Sequence, residues 1–582
     1  GPVALFMVTA GQTDVQATCH LRRRPIPGKH LLSGNVKLKE PTTLTHLESF
    51  IMPLIETQVQ TTVPSNGATD VAHWPVTVPP MDEFNRKLVA NAHPPQYENP
   101  RAEGRYNLVV IGAGTAGLIG SIATAGMGGK SALIERHLLG GDCLNWGCVP
   151  SKAIIRSARV MGELRKAAEL DIHVPDGVEV DFGAVMARMR SLRADISHDD
   201  SMARLQREGV EVFLGEARFT GPDTVEVFDG QERQTLRFAK ALIATGGRAR
   251  DLPVPGLAEA GYLTNETLFQ LTEQPRRLAV IGGGPIGAEM AQTFARLGTD
   301  VTIFIRDDSF LPKEDREAAA IVEAAFRRDG VEFICGADLQ GVTLSETGKV
   351  LHYQQEGQPG QLEVDAILVS IGRVPNVEGL GLEAAGVAYT PQGVTVDDTL
   401  RTSNPRIYAA GDVAVKYQFT HMADAAARIV LQNALFPGPK KKLSNLVIPW
   451  TTYTAPEVAH VGRYTHELDA AGVAYEVFHK SLSEVDRART DGETEGFVKV
   501  LVKQGSDQIL GATIVASEAG EMINEITLAM VAGLGLKTLS TVIHPYPVQS
   551  EAIKKIADGY NRTRLTPTVK RVFETWLSWT RR

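Results

Sequence analysis

The apolar run Tyr106-Asn-Leu-Val-Val-Ile111 enters Gly112-Ala-Gly114-Thr-Ala-Gly117 and then a stretch of small residues that reaches Gly126. A second run, Ser131-Ala-Leu-Ile-Glu135, follows and closes on an acid. Few arrangements satisfy this pattern. A buried strand that turns on glycines into a helix sets backbone N–H groups and the positive helix end against a pyrophosphate, and an acid ending the next strand accepts from a ribose hydroxyl. A glycine triplet alone is a weak signal. Strand, helix and terminal acid together predict a dinucleotide-binding βαβ unit, with Gly112, Gly114, Gly117 and Glu135 as its contacts.

The unit returns as Leu278-Ala-Val-Ile281, Gly282-Gly-Gly284-Pro-Ile-Gly287 and Val301-Thr-Ile-Phe-Ile305. Here the second strand ends beside Arg306 and not in an acid. A guanidinium in place of the ribose-binding carboxylate favours a 2′-phosphate, so NADPH is expected over NADH at Gly282, Gly284 and Gly287. An Arg306 that simply faces solvent would leave NADH possible.

Two of the four cysteines, Cys143 and Cys148, lie in Gly140 to Lys152. On a regular helix, residues five apart are about 8–9 Å apart at Cα, beyond the roughly 7 Å reach of a disulfide. If the sulfurs bond, the segment is an irregular helix start, which Gly147 permits. A thiol there feels the positive end of the helix dipole. Two unrelated buried cysteines remain the alternative at this point. Four cysteines in 582 residues are too few for a disulfide-stapled secreted scaffold, so a reducing compartment, the cytoplasm, is expected. An organelle is the alternative if the acid-free stretch Val15 to Lys39 is a transit peptide and not a flexible basic tail. Gly1-Pro2 reads as a tag scar and Met7 as the natural start.

A chain of 582 residues calls for several domains. A net charge of −8 gives no reason to expect nucleic acid. The one long uncharged run, Asn107 to Ser131 apart from Lys130, is too glycine-rich to read as a membrane span. Residues 1–104 are expected as a mostly extended arm with one helix over Met81 to Ala92, and order is expected to begin sharply at Tyr106. The first nucleotide domain takes 105–274 and 376–440, and the second takes 275–375. Ala241 to Gly247, containing Gly246, and Asp365 to Arg373, containing Gly372, read as strands running into glycine turns at the domain exits. Asp412 closes another short strand, where it either accepts from a polyol such as a ribitol or caps a following helix. A separate domain over 441–560 carries His544-Pro-Tyr546 and Glu551. The basic amphipathic tail 561–582 is expected to dock on its own protein, with a partner or a membrane surface as alternatives.

Taken in order, Gly112–Gly117, Cys143–Cys148, Gly282–Gly287, Gly411-Asp412 and His544–Glu551 resemble the flavin-dependent pyridine nucleotide-disulfide oxidoreductases, the group of dihydrolipoamide dehydrogenase, glutathione reductase and mercuric reductase. The resemblance spans roughly Arg105 to Asp558. It implies an α/β chain of two Rossmann-like domains and a C-terminal α+β dimerisation domain. FAD would lie on the first, against Gly141, Gly246, Glu135 at the adenosine ribose and Asp412 at the ribitol. NADPH would lie on the second, which includes Gly372. Cys148 would face the flavin and Cys143 would meet substrate, while Lys152 and Glu289 would pair beside the flavin. A homodimer would join head to tail, each subunit lending its end to the other's site.

Two departures stand out. The family's disulfide reductases place a His where this chain has Tyr546, a weak acid–base group at neutral pH. Mercuric reductases resemble it there, but they carry a C-terminal Cys pair for soft metal ions, and no cysteine follows Cys335. No metal site is therefore expected. His544, two residues before Tyr546, would face the same side on a strand and is a candidate base, although a structural role is the plainer reading. Three functions follow: an FAD- and NADPH-dependent reductase of a small disulfide or other thiol-reactive acceptor, a reductase of metal ions or quinones, and a redox sensor or scaffold with little turnover.

Overall fold

The computed structural model of the chain describes residues 76–307 and 309–581. The tag scar, Met7 and the basic stretch 15–39 lie outside these residues.

Order begins before Tyr106, where its sharp onset was expected: the expected helix forms over Glu83–Ala92, and parts of 76–104 pack on the core. Val78, Leu88 and Ala92 are fully buried there. The helix α1 (Glu83–Ala92), capped by the Asp82 carboxylate, lies among the core residues of the first nucleotide unit. Farther on, the Tyr97 hydroxyl donates to the Val212 carbonyl, and the Asn99 side chain pairs with both backbone groups of Leu214. A sparse apolar pattern hides this packing, because the segment covers existing elements and builds no amphipathic stripe of its own.

The first glycine unit forms as expected. β1 (Arg105–Ile111), α2 (Thr115–Gly126) and β2 (Ser131–Glu135) make a parallel βαβ, with Leu108 opposite Ser131. Two helices follow almost end to end, α3 (Gly141–Asn145) and α4 (Cys148–Lys166), and α5 (Phe182–Ile196) packs on them. β3 (Val210–Leu214), β4 (Glu216–Gly221), β5 (Thr224–Phe228) and β6 (Arg233–Ile243) complete the sheet in the order β3-β2-β1-β6-β5-β4. The second unit repeats the construction with β7 (Arg277–Ile281), α6 (Pro285–Leu297) and β8 (Asp300–Ile305). With β9 (Glu332–Cys335) and β10 (Ala366–Val369) it makes a parallel sheet in the order β9-β8-β7-β10. The chain then returns to the first sheet, where β11 (Ile407–Ala409) pairs in parallel with β6, and α7 (Thr420–Leu435) packs against α2.

The last sheet is antiparallel. It runs through β12 (Pro449–Thr452), β13 (Glu457–Gly462), β14 (Tyr475–Ser481), β15 (Phe497–Lys503) and β16 (Ile509–Ala516) in the order β12-β13-β16-β15-β14. α8 (Ala519–Val531) and α9 (Glu551–Thr563) bury Ile526, Ile553 and Ile556 against it. A final helix, α10 (Pro567–Thr580), has no buried residue, so the expected docking of the tail on its own protein is not seen among the described residues.

Candidate active site

The break between α3 and α4 gives the irregular helix start that was expected if the two sulfurs bond. Gly147 sits at the junction, where a Cβ would come within 2.9 Å of the Asp142 carbonyl oxygen, and Cys148 opens α4. The two sulfurs stand as hydrogen-bonded free thiols. The Cys148 sulfur also lies 3.3 Å from the Thr420 hydroxyl at the start of α7. Cys148 falls to about 6: the Cys143 hydrogen bond is the main cause, burial opposes it, and Thr420 and the Lys152 charge add to it. The same bond, followed by burial, pushes Cys143 up. At neutral pH Cys148 is thus the thiolate and Cys143 holds the proton.

One turn along α4, Lys152 reaches across to α6, with its Nζ 2.8 Å from Glu289 Oε2. The other Glu289 oxygen accepts from the Tyr453 N–H at 3.0 Å, and Lys152 lies 4.4 Å above the Tyr453 ring. Burial draws the ammonium down, but the Glu289 and Cys148 charges outweigh it, so Lys152 is held above its ordinary value. A pair this enclosed is stable only because both charges are compensated.

A second cluster lies across the site. Arg373 places Nη1 3.0 Å from Asp142 and Nε 3.1 Å from Asp412, and Nη2 donates to the Gly247 carbonyl. Burial pushes both aspartates up, against the pull of Arg373. Asp412 does not cap a helix, because α7 begins later, after Phe419. Glu135 accepts from the N–H groups of Ala113 and His137 at 2.7 and 2.8 Å, and burial raises it.

Both nucleotide turns carry the same packing device. A Cβ on Gly117 would sit 1.8 Å from the Gly112 carbonyl oxygen, and one on Gly287 would sit 2.3 Å from that of Gly282. The space before each helix is instead open: a Cβ on Gly284 would meet nothing within 4 Å, and one on Gly114 only Gly141 Cα at 3.8 Å. Such a cradle fits a pyrophosphate, which needs bare backbone at a helix N-terminus. One cavity of about 1980 Å³ joins Gly112, Gly114, Gly141, Glu135, Gly246 and Asp412 to the cysteines, Lys152 and Glu289. It continues to Gly282, Gly284, Gly372 and Arg306. Ordinary ligand pockets run to roughly 300–1,000 Å³, so this one has room for two dinucleotides. Arg306 stands at its rim, its side chain 81% exposed and 3.7 Å from Asp307.

The family model for pyridine nucleotide-disulphide oxidoreductases matches residues 106–427, and that family's dimerisation domain matches 448–557. The chain belongs to this family. Mercuric reductase of Staphylococcus aureus is 34% identical over 79% of this chain and 83% of its own length. Dihydrolipoyl dehydrogenase of Bacillus subtilis is 33% identical over 78% and 97%. The solved Cu(II) complex of HOCl-induced flavoprotein disulfide reductase RclA from Escherichia coli aligns with a TM-score of 0.70 at 28% identity, covering 78% of this chain and 99% of that one. As a member of the family the chain is a flavoprotein oxidoreductase of the disulfide reductase type. Membership implies a flavin and a pyridine nucleotide, and the dimerisation domain supports a homodimer. Among the described residues, no helix is long and apolar enough to cross a membrane, and no group of His, Cys, Asp and Glu is placed to hold a metal ion.

In this pyridine nucleotide-disulphide oxidoreductase the C-terminal motif does not line the cavity of its own subunit. His544 and Tyr546 lie on no strand and do not face the same side. The His544 side chain is only 7% exposed, with Nε2 3.0 Å from Glu525 on α8, whereas Tyr546 is 71% exposed, with its hydroxyl 3.3 Å from Asp486. The Asp486 carboxylate pushes the Tyr546 phenol up. Glu551 opens α9 and pairs with Lys555 at 3.4 Å.

Sequence reading missed Arg373, Asp142, Thr420 and Tyr453. Arg373 directly follows Gly372, in the strand-to-turn segment already singled out, so its position offered a clue. Thr420 offered none, lying 272 positions from the sulfur it touches.

Proposed function

We propose that this flavoprotein takes electrons from NADPH and passes them, through FAD and the Cys143–Cys148 pair, to a small disulfide or another thiol-reactive acceptor in the cytoplasm. The observation that carries this reading is the polarised sulfur pair, a thiolate at a helix start held by a thiol, in the cavity that joins two dinucleotide cradles. FAD would rest on Gly112, Gly114, Gly117, Gly141, Gly246, Glu135 and Asp412, and NADPH on Gly282, Gly284, Gly287, Gly372 and Arg306. When bound, the flavin supplies what no side chain can, uptake of a hydride equivalent and release of its electron pair. The Glu289 carboxylate would fix the Lys152 ammonium beside the flavin, 2.8 Å from its own oxygen.

The reduced pair discharges by thiol–disulfide exchange. Cys143 passes its proton to Cys148 and attacks one acceptor sulfur, which breaks the acceptor's S–S bond and releases the first thiolate. Cys148 gives up that proton to a departing thiolate and attacks the Cys143 sulfur, releasing the second product and leaving a Cys143–Cys148 disulfide. Two electrons reach the acceptor, and one product leaves protonated. His544, Tyr546 and Glu551 would serve the partner subunit's cavity in a head-to-tail homodimer.

Anaerobic NADPH is expected to bleach the flavin and raise a long-wavelength charge-transfer band that Cys148→Ser abolishes. Bound flavin with no such band would sink the proposal. A second reading, reduction of metal ions or quinones, draws on Tyr546, whose raised phenol makes a poor base at neutral pH. A panel of disulfides, Hg²⁺ and quinones separates the two: quinone turnover that survives Cys143→Ser, with no disulfide reduced, favours the second.

A further inference from the structure

α10 presents an apolar face that none of the described residues covers. Thr566 caps it, accepting from the Val569 N–H at 3.3 Å, and Pro567 opens its first turn. Val569, Val572, Phe573, Trp576, Leu577 and Trp579 recur at helical spacing and share one face. That face is bare: Val572 is 61%, Trp576 57% and Trp579 65% exposed. Lys570, Arg571, Glu574 and Ser578 take the opposite side. From Arg562 to Arg582 there are six basic residues and one acid, in a chain whose net charge is −8.

Charge and length choose the occupant. The helix has 14 residues, or about 21 Å at 1.5 Å per residue, short of the ~30 Å hydrocarbon core. It cannot span a bilayer, but it has the makeup of a helix lying in the interface plane, with Trp at headgroup depth and Lys and Arg toward anionic lipid. A second copy is the poorer partner. The matched dimerisation domain ends at residue 557, before α10, and two copies laid face to face would bring their basic flanks together.

We propose that α10 seats its Trp576–Trp579 face in the interface of an anionic phospholipid bilayer and holds the oxidoreductase on that surface. The test uses the full chain, sedimented with vesicles of phosphatidylcholine alone or with about 30% phosphatidylglycerol. Partitioning onto the anionic vesicles is expected to be at least about tenfold stronger and to collapse in high salt. W576S/W579S should weaken it by at least about tenfold, and K570E/R571E should erase the preference for anionic lipid. Flavin reduction by NADPH and the molecular mass in solution should be unchanged in both variants. A full chain that stays in the supernatant with anionic vesicles, or variants that bind as the parent does, would overturn the proposal. A Trp variant that lowers the solution mass while the parent ignores vesicles would overturn it too, assigning the face to a second copy.

Discussion

Cys148 is charged at neutral pH because Cys143 donates to it, and the bond's cost appears on Cys143 as a raised thiol. Removing the donor should therefore move the acceptor. In Cys143→Ala the pH midpoint of Cys148 alkylation by iodoacetamide should rise from about 6 toward the ordinary thiol value. Thiolate fraction grows as pH passes upward through the pKa, so the variant should react more slowly at pH 7 and equally at high pH. A midpoint that stays near 6 would remove Cys143 as the cause. Arg306 makes a separate claim. Arg306→Ala should lower kcat/KM for NADPH by about tenfold or more and leave NADH unchanged. Equal or better use of NADH by the parent would defeat the NADPH assignment.

At the scale of elements, the α3–α4 junction and the α1–α5 contact hold the sulfur pair in place. Gly147→Ala forces a methyl against the Asp142 carbonyl, at an expected cost of roughly 1–3 kcal/mol. It should also raise the Cys148 alkylation midpoint as the sulfurs separate. The fully buried Arg193 donates from α5 to the Asn145 carbonyl and to Asn85 on α1, at 2.7 and 2.6 Å, while Arg190 meets Asp82 at 2.5 Å. Asn85→Ala would leave part of a buried guanidinium without its partner. The predicted loss is on the order of 3 kcal/mol in chemical denaturation, and a loss below 0.5 kcal/mol would mean that α1 is only appended.

For the whole molecule, the question is whether one subunit completes the other. Cys148→Ser and Glu551→Ala homodimers should each be inactive if the C-terminal motif serves the partner's cavity. Unfolded together and refolded, they should recover about a quarter of parental activity, because half the dimers are mixed and each mixed dimer has one intact site. No recovery, with mixed dimers verified by mass, would place the motif in its own subunit's chemistry, and an active Glu551→Ala homodimer would place it outside the chemistry. Glycine turns, apolar runs and terminal residues are local signals, so the two βαβ units, the α/β class and the family were legible in the amino-acid order. The irregular helix at Gly147 was legible only as a condition on the sulfurs bonding, because a regular 3.6-residue repeat holds residues 143 and 148 beyond disulfide reach. The packing of Val78, Leu88 and Ala92 on the core, the Arg373 bridge, the Thr420 contact and the divergence of His544 from Tyr546 belong to the tertiary structure alone. Each depends on surfaces contributed by distant segments, whose meeting leaves no periodicity in the chain; the bare face of α10 was likewise visible as a stripe, but only the packing decided that none of the described residues covers it.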